Sequence, residues 1–439
     1  MIEKLRQNAD YLLSIVFLVA LVASARSFLV DVDNTLKYGG VDLRDRVVAA
    51  RVLLEGMDPY SFKWSEEYPE TLLNPIENPE IPVTRASFAP TVIMLHVPFA
   101  RLPYSAQRIL WLFAQWGLLL LTIHLFADTS SDGRRSKLVW ITGLFISSTS
   151  LWRYHVERGQ IYILYTFLVA LSFWSSCRKW KYSHYLGGFI LGFAVSLRPT
   201  IIVMAIPFVI FKQYKVFTGL IAGLLAAILI CTAIFGISIW SHYLSSMKYF
   251  EKGNLGELNF AVYAFPDITV IEGMDNLRSA AVIPVNNTSL QYIFNEYFKV
   301  RIGSPTLIAL LSFVLLLVSF WLYRNRGADI PVSLIYLMAS VLVLITDYFL
   351  PATKSYYSEI MWLIPASLLI LNADELEHVD DRSAIASLFF LLIGIYMNTM
   401  VYWEPYCLII SDYCVVIFFF LISALMISSL KKTAMAPER

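Results

Sequence analysis

Long apolar runs recur along the whole chain, each closed off by a short polar stretch. They fall at 11–29, 106–126, 137–152, 160–176, 184–197, 199–211, 216–237, 304–323, 330–349, 358–371, 383–403 and 412–430. A transmembrane helix needs about 20 apolar residues, fewer where the bilayer thins or flanking side chains snorkel. The pattern therefore predicts an all-α, polytopic integral membrane protein with about 12 spans in a single transmembrane domain. The first run follows two cations, Lys4 and Arg6, and lacks the small-residue site at which a signal peptide is cut, so it reads as an uncleaved first span.

One further stretch, 88–100, is about 13 residues long and holds Pro90, His96 and Pro98. Whether it crosses sets the orientation of everything after it. If it lies along the interface and the N-terminus is cytoplasmic, the cytoplasmic loops carry Arg134, Arg135, Lys137, Arg178, Lys179, Lys181, Lys212, Lys215, Arg324, Arg326, Lys431 and Lys432. The short loops opposite keep only Arg153, Arg158, Arg198 and Lys354. Cytoplasmic loops are enriched in Lys and Arg. The stretch is therefore predicted to be an interfacial amphipathic helix, with both chain ends cytoplasmic. Two large external loops result, 30–105 and 238–303. In the first, Val47, Val48, Arg51, Val52 and Leu54 repeat at helical spacing, and Gly56 followed by Asp58-Pro59-Tyr60 marks an end and a turn. The acidic stretch 374–381 reads as a solvated linker.

Composition narrows the class. Of 439 residues, 58% are hydrophobic and 15% charged, with a mean hydropathy of +0.62. Soluble domains are less apolar and carry about 25% charge, so a soluble enzyme, a disordered tail and a small disulfide scaffold are excluded. A net charge of +1 offers no basic field for nucleic acid. The four cysteines, Cys177, Cys231, Cys407 and Cys414, make neither a C-x-x-C pair nor a metal-ligand spacing and read as unpaired thiols. No phosphate-binding glycine loop of the nucleotide-binding kinds is present. A membrane enzyme of this make-up would draw on an activated substrate delivered by the membrane, and a polyprenyl-phosphate sugar fits that need.

Few charges sit where chemistry is plausible. After the first span come Asp31, Asp33, Asp42 and Asp45, any of which can serve as a general base toward an attacking hydroxyl. Asp31-x-Asp33 can alternatively hold a divalent cation, and each can equally be a helix cap or solvated charge. Arg198 interrupts two apolar stretches beside Pro199; an ionisable group at membrane depth marks a functional site by default, and a guanidinium can grip a phosphate through two hydrogen bonds. Snorkelling to headgroups is the simpler alternative. Arg108 offers a weaker version of the same role. The connection Arg153–Gln160 packs Glu157, Arg158 and Gln160 around Gly159, as would suit sugar hydroxyls or phosphate oxygens, although Glu157 can simply pair with Arg158 or Arg198. His155 reads as an interfacial hydrogen-bonding group. Lys354 is a further candidate phosphate contact, with Tyr356 and Tyr357 as aromatic-belt anchors. Asn286-Asn287-Thr288-Ser289 matches a glycosylation acceptor pattern and equally suits carbohydrate contact or a turn.

In this order the residues resemble glycosyltransferase family 87, membrane enzymes of the GT-C superfamily. The resemblance rests on Asp42, Ala49-Ala50 and Gly56-Met57-Asp58-Pro59-Tyr60, then Phe88-Ala89-Pro90, Arg158-Gly159-Gln160, Arg198-Pro199 and Asn287-Thr288-Ser289-Leu290, over about 30–300. Arg198 stands where the family more often has lysine before the proline. The resemblance implies an inverting transfer of one sugar, mannose by family default, from a polyprenyl-phosphate donor to a lipid-linked or cell-envelope glycan acceptor. It makes Asp42 the general base, Arg198 a ligand of the sugar donor's phosphate and Gln160 part of the lining. Arg158, Glu157, Lys354, Asn287, Tyr60 and Arg108 complete the expected substrate contacts. No cofactor or metal is expected, and the implied setting is a bacterial inner membrane with the site facing the periplasm. The main rival is a transporter or flippase of a lipid-linked sugar; a second is a non-catalytic scaffold.

Overall fold

The computed structural model describes residues 2–37, 40–74, 77–78, 80–258, 287–326, 329–351, 353–400 and 406–435, all of whose regular elements are helical. Residues 259–286 of the second expected loop, Asn286 included, lie outside the described residues. In chain order the helices are α1 (Ile2–Lys37), α2 (Val41–Leu54), α3 (Pro90–His96), α4 (Tyr104–Ala127), α5 (Gly133–Ile146), α6 (Ser150–Glu157), α7 (Tyr162–Ser176) and α8 (Ser183–Leu197). Then come α9 (Ala205–Ile210), α10 (Tyr214–Phe235), α11 (Ser238–Asn254), α12 (Leu290–Phe298), α13 (Ser304–Asn325) and α14 (Val332–Asp347). Last are α15 (Leu363–Leu371), α16 (Asp381–Met400) and α17 (Cys407–Met435). Tight 3-10 turns, Pro199–Met204 and Tyr356–Trp362, lead directly into α9 and α15.

Every apolar run of the sequence contains helix, but length separates the helices into two sets. Among the described residues six are long and apolar enough to cross a membrane: Ala9–Lys37, Tyr104–Ala127, Tyr214–Phe235, Ser304–Asn325, Asp381–Met400 and Cys407–Lys431. The others are shorter; at about 1.5 Å per residue, α7 rises only about 22 Å. The expected span 137–152 is broken at Ser147–Thr149, between α5 and α6. The stretch 88–100 folds as α3 and the 3-10 turn Val97–Phe99, too short to cross.

Ion pairs distinguish the two ends of the bundle. At one end Arg134 pairs with Asp10 at 2.6 Å, Arg135 meets Asp374, Arg178 meets Asp128, and Lys431 Nζ donates to the Arg324 carbonyl at 2.6 Å. This basic end gathers the cationic loops picked out by charge. The 374–381 stretch takes part through Asp374 instead of being only a solvated linker. At the opposite end α2 and α3 form a layer over the bundle. Every residue of α2 from Leu43 to Val52 is buried. Its arginines survive burial because backbone carbonyls meet them: Arg51 donates to Ala100, Thr71 and Leu102 at 2.8–3.0 Å, and Arg44 to Leu73 at 3.1 Å. The Asp58 turn forms as expected, its carboxylate accepting from the Tyr60 amide at 3.0 Å.

One packing device follows from small residues. Gly188 and Gly192 on α8 face Gly219 and Gly223 on α10, each so near the other backbone that an added Cβ would collide with a carbonyl, of Val216, Leu220, Tyr185 and Phe189 respectively. Small residues four apart on both helices let backbones touch, a recurring way of joining membrane helices. This fixes α8, and with it Arg198 at its C-terminal end.

Candidate functional site

The site starts where two helix ends are spliced. Gly40, in the left-handed region at φ 61, turns the chain into α2 and leaves the first amides of that helix without partners. The Arg158 carbonyl at the end of α6 supplies them, accepting from Asp42 N at 3.1 Å and Leu43 N at 3.3 Å. The next residue, Gly159, has φ 69, and a Cβ there would lie 2.6 Å from the Leu43 Cβ, so the junction needs glycine. Arg46 donates to the Gly159 carbonyl and Trp111 Nε1 to that of Gln160, the latter at 3.2 Å.

This splice delivers Asp42, Arg158 and Gln160 to one point. Arg158 grips Asp42 bidentately, Nη2 to Oδ1 at 2.8 Å and Nε to Oδ2, while Gln160 Nε2 also donates to Oδ2. Arg158 lies over Tyr154 and Tyr357, with ring centres at 5.6 and 5.8 Å. Tyr357 packs on Tyr162 at 5.5 Å, and Arg198 covers Tyr162 at 4.5 Å and Tyr165 at 5.8 Å. Arg198 is carried there because Pro199 cannot continue α8 and its backbone turns extended, φ −138, ψ 96. Its Nη2 donates to Asp347 Oδ2 at 2.8 Å. The result is a continuous row, Asp42–Arg158–Tyr357–Tyr162–Arg198–Asp347, with two tyrosines between two arginine–aspartate pairs and Tyr154 and Tyr165 flanking it. Arg198 Nε and Asp347 Oδ1 are buried without hydrogen-bond partners among the described residues.

The other expected contacts sit elsewhere. Lys354 is an inward-facing side chain: its ammonium pairs with buried Asp412, whose Oδ2 also accepts from Thr288 Oγ1 at 2.6 Å. Asn287 belongs to the same hub, its Oδ1 accepting from the Ser289 amide at 3.0 Å and the Lys354 amide at 3.2 Å, so the amide-rich segment is a turn. Glu157 accepts from Asn34 Nδ2 at 2.6 Å instead of from either expected arginine. Arg108 is buried and donates to the Thr35 carbonyl. Tyr60 is buried, its hydroxyl donating to the Phe88 carbonyl at 3.0 Å; it holds the first loop on α3. Tyr356 donates to Asn398 at 3.1 Å and Tyr357 lies against Arg158, so neither is a belt anchor.

Asp31 and Asp33 prove to be helical, in the last turns of α1, and residues two apart leave a helix on different faces. Asp31 turns inward onto Trp116 and Trp152, whose Nε1 atoms both donate to its Oδ2 at 3.0 Å, whereas exposed Asp33 pairs with Lys37. The pair therefore does not converge on one cation. His155 is buried against Trp152, and burial with the nearby Arg46 charge lowers its pKa to about 3, leaving it neutral. Asp45, one turn along α2 from Asp42, is raised to about 7, chiefly by burial, with Arg85 opposing and the Asp42 charge adding.

Asp347, Tyr154, Tyr162 and Tyr165 were missed in the sequence, and Tyr357 was read there only as a belt anchor. Asp347 had a signal: it is an acid closing an otherwise apolar run, as Arg198 is a base closing another, and buried charges of opposite sign seek each other.

A bundle of apolar helices with a charged, aromatic row at one end, beneath a layer of short helices, defines a multi-pass membrane protein with a built site. The sequence model of glycosyltransferase family 87 matches residues 88–347, more than half the chain, and the chain belongs to that family. It is a glycosyltransferase, which retires the transporter and scaffold readings. The match covers Arg158, Gln160, Arg198 and Asp347, while Asp42 lies before it. No curated protein matches this chain.

Proposed function

We propose that the protein is an inverting, GT-C-like glycosyltransferase that moves a sugar, mannose by family default, from a polyprenyl phosphate to a lipid-linked or cell-envelope glycan. The attacking oxygen of the acceptor bonds to the anomeric carbon from the face opposite the phosphate and passes its proton to Asp42. The bond from that carbon to the phosphate oxygen breaks, and the leaving phosphate takes the electron pair. Arg198, with its free Nε–H, and Arg158 stabilise the charge that grows there. The faces of Tyr162 and Tyr357 between the two guanidiniums suit a pyranose ring. Phosphate leaves readily and two cations answer its charge, so the chemistry calls on no cofactor. The basic end of the bundle supports placing the two chain ends and the cationic loops in the cytoplasm and the site at the periplasmic face of a bacterial inner membrane.

One observation carries this reading: Asp42 and Arg198, far apart in sequence, are joined through Arg158, Tyr357 and Tyr162 at one end of the bundle. The test is to incubate the purified protein with radiolabelled polyprenyl-phosphate sugars and a membrane lipid extract. Label appearing in a lipid-linked or envelope glycan from one of these sugar donors is the expected result; no transfer from any of them overturns it.

A further inference from the structure

Three of the ion pairs at the site end differ in how open they are. In Lys354–Asp412 the two side chains are 4% and 0% exposed, and in Arg198–Asp347 they are 14% and 2%. In Arg158–Asp42 they are 22% and 15% exposed, so this is the pair an incoming ligand can reach on both partners. It is also the pair whose carboxylate has donors on both oxygens: Oδ1 takes one Arg158 donor, and Oδ2 takes a second together with Gln160. With three of about four acceptor positions taken, an acceptor hydroxyl competes with Arg158 and Gln160 for this carboxylate, and proton transfer to it weakens their hold.

Arg158 is built to move without its backbone. Its carbonyl is held by the Asp42 and Leu43 amides, and its own amide donates to Tyr154 O at 3.2 Å. Its guanidinium, however, already lies against two rings, Tyr154 and Tyr357, which can support the charge as it turns from Asp42 toward Tyr162 and Arg198.

We infer that Arg158 is a cation shared in time, passing from Asp42 to the leaving phosphate as transfer proceeds. The inference rests on the function proposed above and follows from its charge balance. Before transfer Asp42 carries one negative charge, and the phosphodiester of the sugar donor carries one. Proton transfer neutralises Asp42, and breaking the bond to the anomeric carbon leaves a phosphate monoester with a second ionisable oxygen. Negative charge thus leaves one end of Arg158's reach and appears at the other, and a bidentate guanidinium follows it. Arg198, fixed by Asp347, grips the phosphate throughout.

The experiment uses the whole protein in lipid nanodiscs and farnesyl phosphate, a monoester that mimics the product. Arginines are labelled with phenylglyoxal and carboxyls with a hydrophobic carbodiimide, each located by peptide mass spectrometry. Farnesyl phosphate is expected to protect both Arg158 and Arg198 and to raise labelling of Asp42 several-fold. In Arg158→Gln, with thermal unfolding checked against Arg158→Lys, Asp42 is expected to label strongly with or without the probe. Kinetically, Arg158→Gln should lower kcat by about 100-fold with little change in KM, the mark of an interaction made as charge develops. Protection of Arg158 with unchanged Asp42 labelling overturns the exchange alone. Protection of neither arginine overturns the proposed function, and the exchange with it.

Discussion

The Asp42–Arg158 and Lys354–Asp412 pairs use the same chemistry in opposite ways. Both join residues far apart in sequence and both lie at the site end, yet one is open to a ligand and the other is sealed. The sealed pair sits in a hub with Thr288, Asn287 and the stacked rings of Tyr348 and Tyr413, tying the start of α12 to α17 and to the segment before the 3-10 turn. Under the proposed function its job is architectural. The open pair is flanked by aromatic faces and by a second guanidinium, and under the proposed function its job is chemical. Depth of burial, more than residue type, tells the two apart.

The strongest challenge to this contrast is Asp42→Asn. An amide of the same shape still accepts from Arg158 but takes no proton. Transfer should fall by about 100- to 10,000-fold, the range for losing a general base, while the unfolding temperature changes little. Transfer near the native rate would reassign the base and remove the distinction.

Lys354→Met attacks the sealed pair. Breaking a buried ion pair leaves the other charge without compensation and costs about 3–5 kcal/mol. The expected readout is a large drop in unfolding temperature, with the specific activity of the remaining folded protein preserved. Lys354→Met combined with Asp412→Leu should recover much of that stability. A variant that stays stable but loses activity would move Lys354 back to substrate contact.

These two pairs also show what the sequence disclosed. The apolar runs announced a helical membrane protein because backbone in hydrocarbon must satisfy itself, and that constraint is written into local composition. Arg158, Gln160 and Arg198 stood out because they are polar groups at the ends of apolar runs, and Asp42 was singled out among four loop carboxylates by the family resemblance. Lys354 stood out as a cation between two apolar runs, but its pairing with Asp412 did not show, since a sequence shows that a charge is isolated along the chain and not whether a distant acid lies opposite. The missing check was electroneutrality: Arg198 and Lys354 had counterparts in Asp347 and Asp412, each likewise set in apolar surroundings. The tyrosine row was illegible because its members come from α6, α7 and the 3-10 turn before α15. Span counting by composition met a similar limit where 3-10 turns and short helices replace one long helix.

A smaller effect probes how the open pair is held. Gly159→Ala places a Cβ against Leu43 and puts an L-residue in the left-handed region, costing about 1–3 kcal/mol of local strain. The carbonyl that anchors Asp42 and Leu43 precedes this residue directly, so Asp42 and Arg158 should lose register. A fall in kcat larger than the fall in stability is expected. Equal losses would make the splice merely structural.

The smallest effect concerns Asp45, a carboxylate on α2 between the two extremes. It is buried like Asp412, but its nearest cation, Arg85 Nε, is 4.0 Å away, and its close partner is the Asn74 amide at 2.6 Å. Burial without a tight counter-charge raises its pKa from 3.8 to about 7. With the folded value above the unfolded one, the folded protein binds the extra proton between these limits. Asp45 therefore contributes stability below about pH 4 that is lost as pH rises through about 7. Asp45→Asn keeps an oxygen for Asn74 and removes the titration. The change in unfolding temperature between pH 5 and pH 8 should shrink by about 2–4 °C relative to the native chain. An unchanged difference would mean that Arg85 neutralises Asp45 as fully as Arg158 does Asp42, and that separation of charge matters less here than burial.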